Sequence, residues 1–182
     1  MFTKRFFIMK KILIASSLFA LTSSAFAVDG TLHFTGAFTD APCEVNINGA
    51  TATGTINVAL DSWSIANYQT SGVTTDLKPI TISLSGCPDM TSANIQFNGT
   101  ANGTNPDLFA IETGAGTATN VGIALYSSTN TADIITPNKF SGLVIPLTSQ
   151  AGEHTVYASY MTTGSATEGA ANANVTIDIS YQ

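Results

Sequence analysis

Two histidines, two cysteines and a thin scatter of acids and hydroxyls are all that this chain offers to catalysis. General acid–base chemistry needs a titratable group within hydrogen-bond reach of a substrate proton, and neighbours that tune it. His33 and His154 have no such company in the sequence, and His33 sits inside an alternating apolar stretch. Ser62, Ser64 and Ser141 lack the strand–GxSxG–helix turn that presents a nucleophilic serine. No HxxxH pair or clustered carboxylates with metal-ligand spacing occur. Asp107 and Glu112 read as solvated surface rather than a glycosidase pair. Asn98-Gly99-Thr100 and Asn102-Gly103-Thr104 match glycosylation sequons, yet they read as tight turns. Trp63 with Tyr68 could stack on a sugar; the plainer reading is that they cover one end of the fold. The expectation is a protein that is not an enzyme, with no catalytic residue, metal ligand or cofactor.

The elements that would position any site begin after an export signal. Lys4, Arg5, Lys10 and Lys11 form a basic region, Ile12 to Leu21 is apolar, and Ala25-Phe26-Ala27 supplies a small-x-small cleavage site. Met9 is an equally good start. The apolar run is well short of the ~20 residues of a spanning helix. Cleavage leaves 155 of 182 residues, enough for one domain. It also leaves only Lys78 and Lys139 against twelve Asp and Glu, a net charge of −10. Such a chain does not bind nucleic acid by counterion release. Cys43 and Cys87 form an even pair in an oxidising compartment and read as one structural disulfide. Closing a loop of that length removes unfolded-state entropy worth roughly 4 kcal/mol.

The remainder reads as all-β. Short alternating runs at Val45–Ile47, Thr55–Leu60, Leu77–Leu84, Ala93–Phe97, Leu108–Glu112, Val121–Tyr126, Leu143–Leu147, Thr155–Met161 and Ala173–Tyr181 are separated by Gly, Asn, Thr and Ser. This spacing predicts a sandwich or barrel. Asp61 to Tyr68 predicts a turn with a helical twist, capped by Asp61. Pro79 cannot donate to a ladder, which places its end of the strand at an edge or bulge.

Both ends of the mature chain are alternating apolar strands. Near the front, Leu32, Phe34, Gly36 and Phe38 share one face, with Thr31, His33, Thr35, Ala37 and Thr39 between them. This is either an ordinary first strand or a strand made for another molecule. At the back, Val175, Ile177, Ile179 and Tyr181 share a face up to the final Gln182. Edges of this kind recruit other chains unless charge, proline or a bulge blunts them.

Taken together, these residues resemble the subunits of chaperone–usher fimbriae, most closely the type 1 major pilin family. The resemblance rests on Leu32-His33-Phe34-Thr35-Gly36 with Cys43 seven residues on, Leu84-Ser85-Gly86-Cys87 and Asn120-Val121-Gly122-Ile123. It continues through Ala158-Ser159-Tyr160, Gly164-Ser165-Ala166-Thr167, Gly169-Ala170-Ala171-Asn172-Ala173 and the penultimate Tyr181. Glu168 departs from the pattern, where proline or a neutral residue is expected.

The resemblance implies an incomplete immunoglobulin-like sandwich lacking its last strand. Its parts would be a signal peptide over 1–27, an N-terminal donor-strand extension over 28–40 and a pilin domain over 41–182. Leu32, Phe34 and Phe38 would enter pockets of a neighbouring subunit, with Gly36 where the backbones approach closely. Gly169, Val175, Ile177, Ile179 and Tyr181 would form the groove and chaperone-recognition strand. The implied partners are neighbouring fimbrial subunits, a periplasmic chaperone and an outer-membrane usher, on the way through the periplasm to a surface fimbrium. The expected function is a structural subunit, the major shaft component, joined head-to-tail by donor-strand exchange. The alternatives are a minor adaptor or terminator subunit and, in a different class, a secreted carbohydrate-binding module.

Overall fold

The computed structural model describes residues 43–182. The signal and the donor-strand extension, with Leu32, Phe34, Gly36 and Phe38, lie outside the described residues. Among the described residues, ten strands form in order. They are β1 (Glu44–Ile47), β2 (Ala50–Thr51), β3 (Lys78–Ser85), β4 (Ser92–Asn98) and β5 (Phe109–Ala110). β6 (Val121–Tyr126), β7 (Ile134–Ile135), β8 (Phe140–Pro146), β9 (Gly152–Thr162) and β10 (Thr176–Tyr181) follow. One sheet runs β2-β1-β3-β9-β6-β5, with β7 also on β6; the other is β10-β4-β8. Every strand pair is antiparallel.

Period-two patterning explains how the two sheets close on one another. Along β3, Ile80, Ile82 and Leu84 point inward and are buried, while Thr81, Ser83 and Ser85 between them are only half-buried. They meet Ala93, Ile95 and Phe97 of β4 and Leu143 and Ile145 of β8 in one core, joined by Val156 and Ala158 of β9. Side chains from both sheets thus share a single apolar layer, as a sandwich requires. β4 and β8 change register between Ile95 and Gln96, where a bulge bends the outer strand.

Several expectations change in detail. Thr55–Leu60 has the alternation of a strand but forms no ladder; Leu60 alone is buried. Leu108–Glu112 shortens to the two-residue β5, and β9 extends to eleven residues. The helical twist is a single 3-10 turn at Ile65–Asn67, and Ser64 rather than Asp61 precedes it, making no side-chain cap. Asp61 instead pairs with Lys78 at 2.5 Å. Pro79 faces Tyr157 of β9 but lies beyond the reach of β1, whose pairing with β3 stops at Ile82. It therefore sits where β3 has one free edge, as its missing amide demands.

Two devices hold the ends of the molecule. Cys43 and Cys87 form the disulfide, with Cα atoms 4.1 Å apart, and staple β1 to β3 where Glu44 faces Ser85. Gly169 lies in a strap in which the Ala118 amide donates to the Ala170 carbonyl and the Ala170 amide to that of Gly116. Its φ is +144°, and a Cβ there would stand 2.5 Å from the Ala118 nitrogen. Only glycine fits.

Gly169→Ala should therefore destabilise the domain by about 3 kcal/mol, read as a lower urea midpoint at constant m-value. The Cys43→Ser, Cys87→Ser pair should cost roughly 4 kcal/mol in the same measurement, mostly through the unfolded chain.

Candidate functional site

β10 has one neighbour. It pairs with β4 in the register Ile177–Phe97, Ile179–Ile95 and Tyr181–Ala93, and its other edge carries no strand among the described residues. The consequence shows in burial. Ala93, Ile95 and Phe97 are sealed in the core, whereas Ile177, Ile179 and Tyr181, directly beside them on the same face, are only half-buried. Val175, just ahead of the strand, behaves the same way. A further strand on the free side would cover all four. Completing that burial is worth about 1 kcal/mol per side chain.

The space beside β10 is a groove of about 850 Å³. One wall is the stretch from Ala171 to Ile177; the other is Thr55 to Leu60. Its floor is apolar: Ile80, Phe97, Ile123, Leu125 and Tyr160. Among the described residues, no backbone amide from Gly54 to Leu60 donates to another backbone group. A buried backbone amide is almost always paired. Among the described residues the segment thus has the sequence of a strand and no partner strand, and it lies across the groove from the free edge of β10.

Other features keep the walls fixed. The Tyr160 hydroxyl donates to the Ala171 carbonyl at 2.9 Å, and the Glu112 amide to the Asn172 carbonyl at 2.7 Å. Burial pushes the Tyr160 and Tyr181 phenols above their ordinary pKa; for Tyr181 a backbone hydrogen bond from Cys43 opposes the rise. Both rings therefore stay neutral through the physiological range. Gly169 lies ahead of β10 and lines an adjoining hollow, which shares Tyr160, Ala171 and Asn172 with the groove.

The candidates for chemistry are scattered. The His154 ring nitrogen Nε2 is 3.0 Å from the Ser127 carbonyl, and the Ser141 hydroxyl donates to that of Ile95. Asp107 accepts from the Thr136 hydroxyl and Glu112 from the Asn174 amide, so each carboxylate has a separate local partner. Asn98 donates to Asp178, and Asn102 accepts from the Thr104 and Asn105 amides. No group of three or more metal-ligating side chains forms among the described residues. Trp63 and Tyr68 meet edge to face with ring centroids 6.2 Å apart and line the adjoining hollow.

The second wall and the floor are what sequence reasoning missed. The signal for the wall was present in Thr55–Leu60, whose alternation was visible but not its lack of a partner. Tyr160 carried no such signal, because its role comes from β9 passing beneath both walls.

Comparison with known proteins agrees with this architecture. The profile described as "Fimbrial protein" matches residues 32–182. The probable major fimbrial subunit LpfA of Escherichia coli O157:H7 is 32% identical over 97% of this chain and 99% of its own length. Long polar fimbria protein A of Salmonella typhimurium is 35% identical over the same shares of each chain. Among solved structures, the P pilus rod subunit PapA has the same fold, with a TM-score of 0.59 and 16% identity over 78% of this chain and all of that one. An antigen and type I fimbria protein of Burkholderia pseudomallei aligns at 0.55 and 27% identity over 79% of this chain and 91% of its own. A sandwich with an open strand position, matched along nearly its whole length by such relatives, belongs to the fimbrial protein family as a structural subunit of a fimbria.

Proposed function

We propose that the subunit assembles by giving its front end to the groove of the next copy. Residues 28–40 form the extension, and about Val28 to Thr39 enter as a strand between Thr55–Leu60 and β10. Leu32, Phe34 and Phe38 occupy the apolar floor, and Gly36 passes where a side chain would collide. The observation that carries this is the vacant strand position itself: an unladdered segment and a free edge face one another over an apolar floor. A period-two segment with three large apolar residues on one side is the complement of such a gap.

The energetics favour a joint that does not come apart. Each large side chain taken from water contributes roughly 1.5–3 kcal/mol. Each backbone hydrogen bond made adds about 1 kcal/mol. A joint between two different surfaces of the same chain is heterologous, so it propagates into an open filament. The same exposed groove makes the free subunit a hazard to itself, because an apolar edge recruits strands indiscriminately. A periplasmic chaperone that lends a strand, and an outer-membrane usher that exchanges it, answer that hazard. In this reading the chain crosses the periplasm as a capped subunit before joining the surface fibre, as its major shaft component.

Mature chain lacking Val28 to Thr39 should form no fibres, while still accepting a synthetic 28–39 peptide. Peptide at about 100 times its Kd should stabilise the truncated chain by about 2.7 kcal/mol, seen as a higher melting temperature. A peptide with Phe34→Ser that stabilises equally well would sink the pocket assignment. Gly36→Arg in the full chain should leave chaperone capture intact and stop insertion into a neighbour. Electron microscopy and a ladder of oligomers resistant to cold detergent read the two steps separately.

A further inference from the structure

A second pair of surfaces, away from the strand position, has matching chemistry. The first is a projection at the turn into β8. Phe140 is 63% exposed, the most exposed of the large apolar side chains among the described residues, with Val144 two rungs along the same outer face. Lys139 beside it is exposed and has no carboxylate partner among the described residues. The turn beneath is held firmly. The Asn138 amide donates to the Phe97 carbonyl at 2.9 Å, and the Asn138 side chain exchanges hydrogen bonds with Gly99 at 2.8 and 3.0 Å. A projection fixed in this way loses little entropy on docking.

The second surface is the hollow that adjoins the groove, about 350 Å³ in volume. Trp63 and Tyr68 meet there at 78°, so their rings make two walls of a corner. The Trp63 ring is anchored, its indole N–H donating to the Leu60 carbonyl at 2.8 Å, and the Tyr68 backbone is held by the Ala166 amide, which donates to its carbonyl at 3.0 Å. Two carboxylates line the hollow. Asp61 is engaged by Lys78, whereas Glu168 has no cation among the described residues. An aromatic corner with an unneutralised carboxylate is suited to an aromatic ring and an ammonium arriving together.

We infer that the Lys139–Phe140 projection of one subunit docks into the Trp63–Tyr68–Glu168 hollow of another copy of this chain. The inference rests on the head-to-tail assembly proposed above and adds a second contact to it. Charge selects the occupant. The mature sequence holds only two lysines and no arginine, and Lys78 is already paired. Lys139 is therefore the one lysine or arginine side chain left unpaired among the described residues with which so acidic a chain can approach its own copy favourably. Position excludes self-satisfaction: Phe140 lies on the outer face of the β10-β4-β8 sheet, and the hollow lies by the strap and the 3-10 turn. β8 itself is unsuited to edge-on strand addition, with a lysine before it, a bulge within it and Pro146 at its end. Its face is what remains to be used. Two different patches again give a contact that propagates along a fibre.

The test is zero-length carbodiimide coupling on fibres assembled from equal parts of 14N- and 15N-labelled full-length chain, followed by peptide mass spectrometry. The expected result is a Lys139–Glu168 isopeptide with mixed-isotope pairs. Phe140→Ser, which leaves both reacting groups in place, should lower its yield at least tenfold. The charge-swapped K139E/E168K chain should restore a link at the same two positions. Detergent-resistant ladders should be unchanged throughout. Fibres that form without this link, or a link indifferent to Phe140→Ser, would overturn the contact while leaving strand exchange standing. Loss of the ladder in Glu168→Lys would assign the hollow to the inserted strand instead and equally overturn it. Wild-type chain that forms no fibre would refute strand exchange, and the second contact with it.

Discussion

A strand edge over an apolar floor can be satisfied only by another strand. Water can serve the backbone groups of β10 and of Thr55–Leu60, but it cannot also cover the half-buried Val175, Ile177, Ile179 and Tyr181 without losing the burial they would gain. A loose hydrophobic cover fails in the other direction, because it leaves amides and carbonyls unpaired. An extended segment with alternate large apolar residues meets both demands at once. Among the described residues, the fold around the groove leaves this demand unmet. β9 carries Tyr160 beneath both walls, the glycine strap fixes the approach to β10, and the disulfide closes the β1–β3 pair beyond the other wall.

That rigidity has a functional reason. A groove that collapsed when empty would bury part of its own floor, and an incoming strand would then have to undo that packing. Protein interiors are close-packed, and removing side-chain volume from them costs several kcal/mol per large residue. Gly169 shows how tightly the frame is built, since even one methyl group there would overlap the backbone opposite. Fixed walls confine the missing volume to the site where a strand belongs.

The two sheets were legible because their strands obey period two and are punctuated by turns, as in Lys78–Ser85 and Val121–Tyr126. The disulfide was legible from cysteine count and compartment alone. Thr55–Leu60 was misread for a physical reason: alternation reports which residues want a floor beneath them, not whether a neighbour exists to complete the ladder. Leu143–Leu147 was placed too late because the bulge at Ile95 and Gln96 lets β8 begin at Phe140, and a register shift leaves no trace in polarity. Asp61 looked like a cap from its position, yet Lys78, distant in sequence, competes for it through the fold. The hollow was equally hidden, since Trp63 and Glu168 come together only when the strap folds back. The apolar face of Val175, Ile177, Ile179 and Tyr181 was plain in the sequence, and so was its unblunted edge; the wall across the groove from it was not.

Charge decides which forces can join such subunits. With the proposed signal over 1–27 removed, each copy would carry a net charge of −10, and copies would repel at long range. At physiological ionic strength that repulsion is screened beyond about 8 Å, which permits encounter without helping it. A joint held chiefly by surface ion pairs would gain little, because exposed pairs are worth about 1 kcal/mol or less and weaken as salt rises. Apolar burial and backbone hydrogen bonds made out of water contact do not weaken in that way. Residues 30–39 contain no Asp, Glu, Lys or Arg, the acids Asp29 and Asp40 flanking them on either side. An inserted strand of that composition brings no unpaired charge onto the apolar floor, where desolvating one would cost several kcal/mol. In the proposed assembly the acidic surface would keep free subunits apart, and the uncharged strand would leave the joint indifferent to salt.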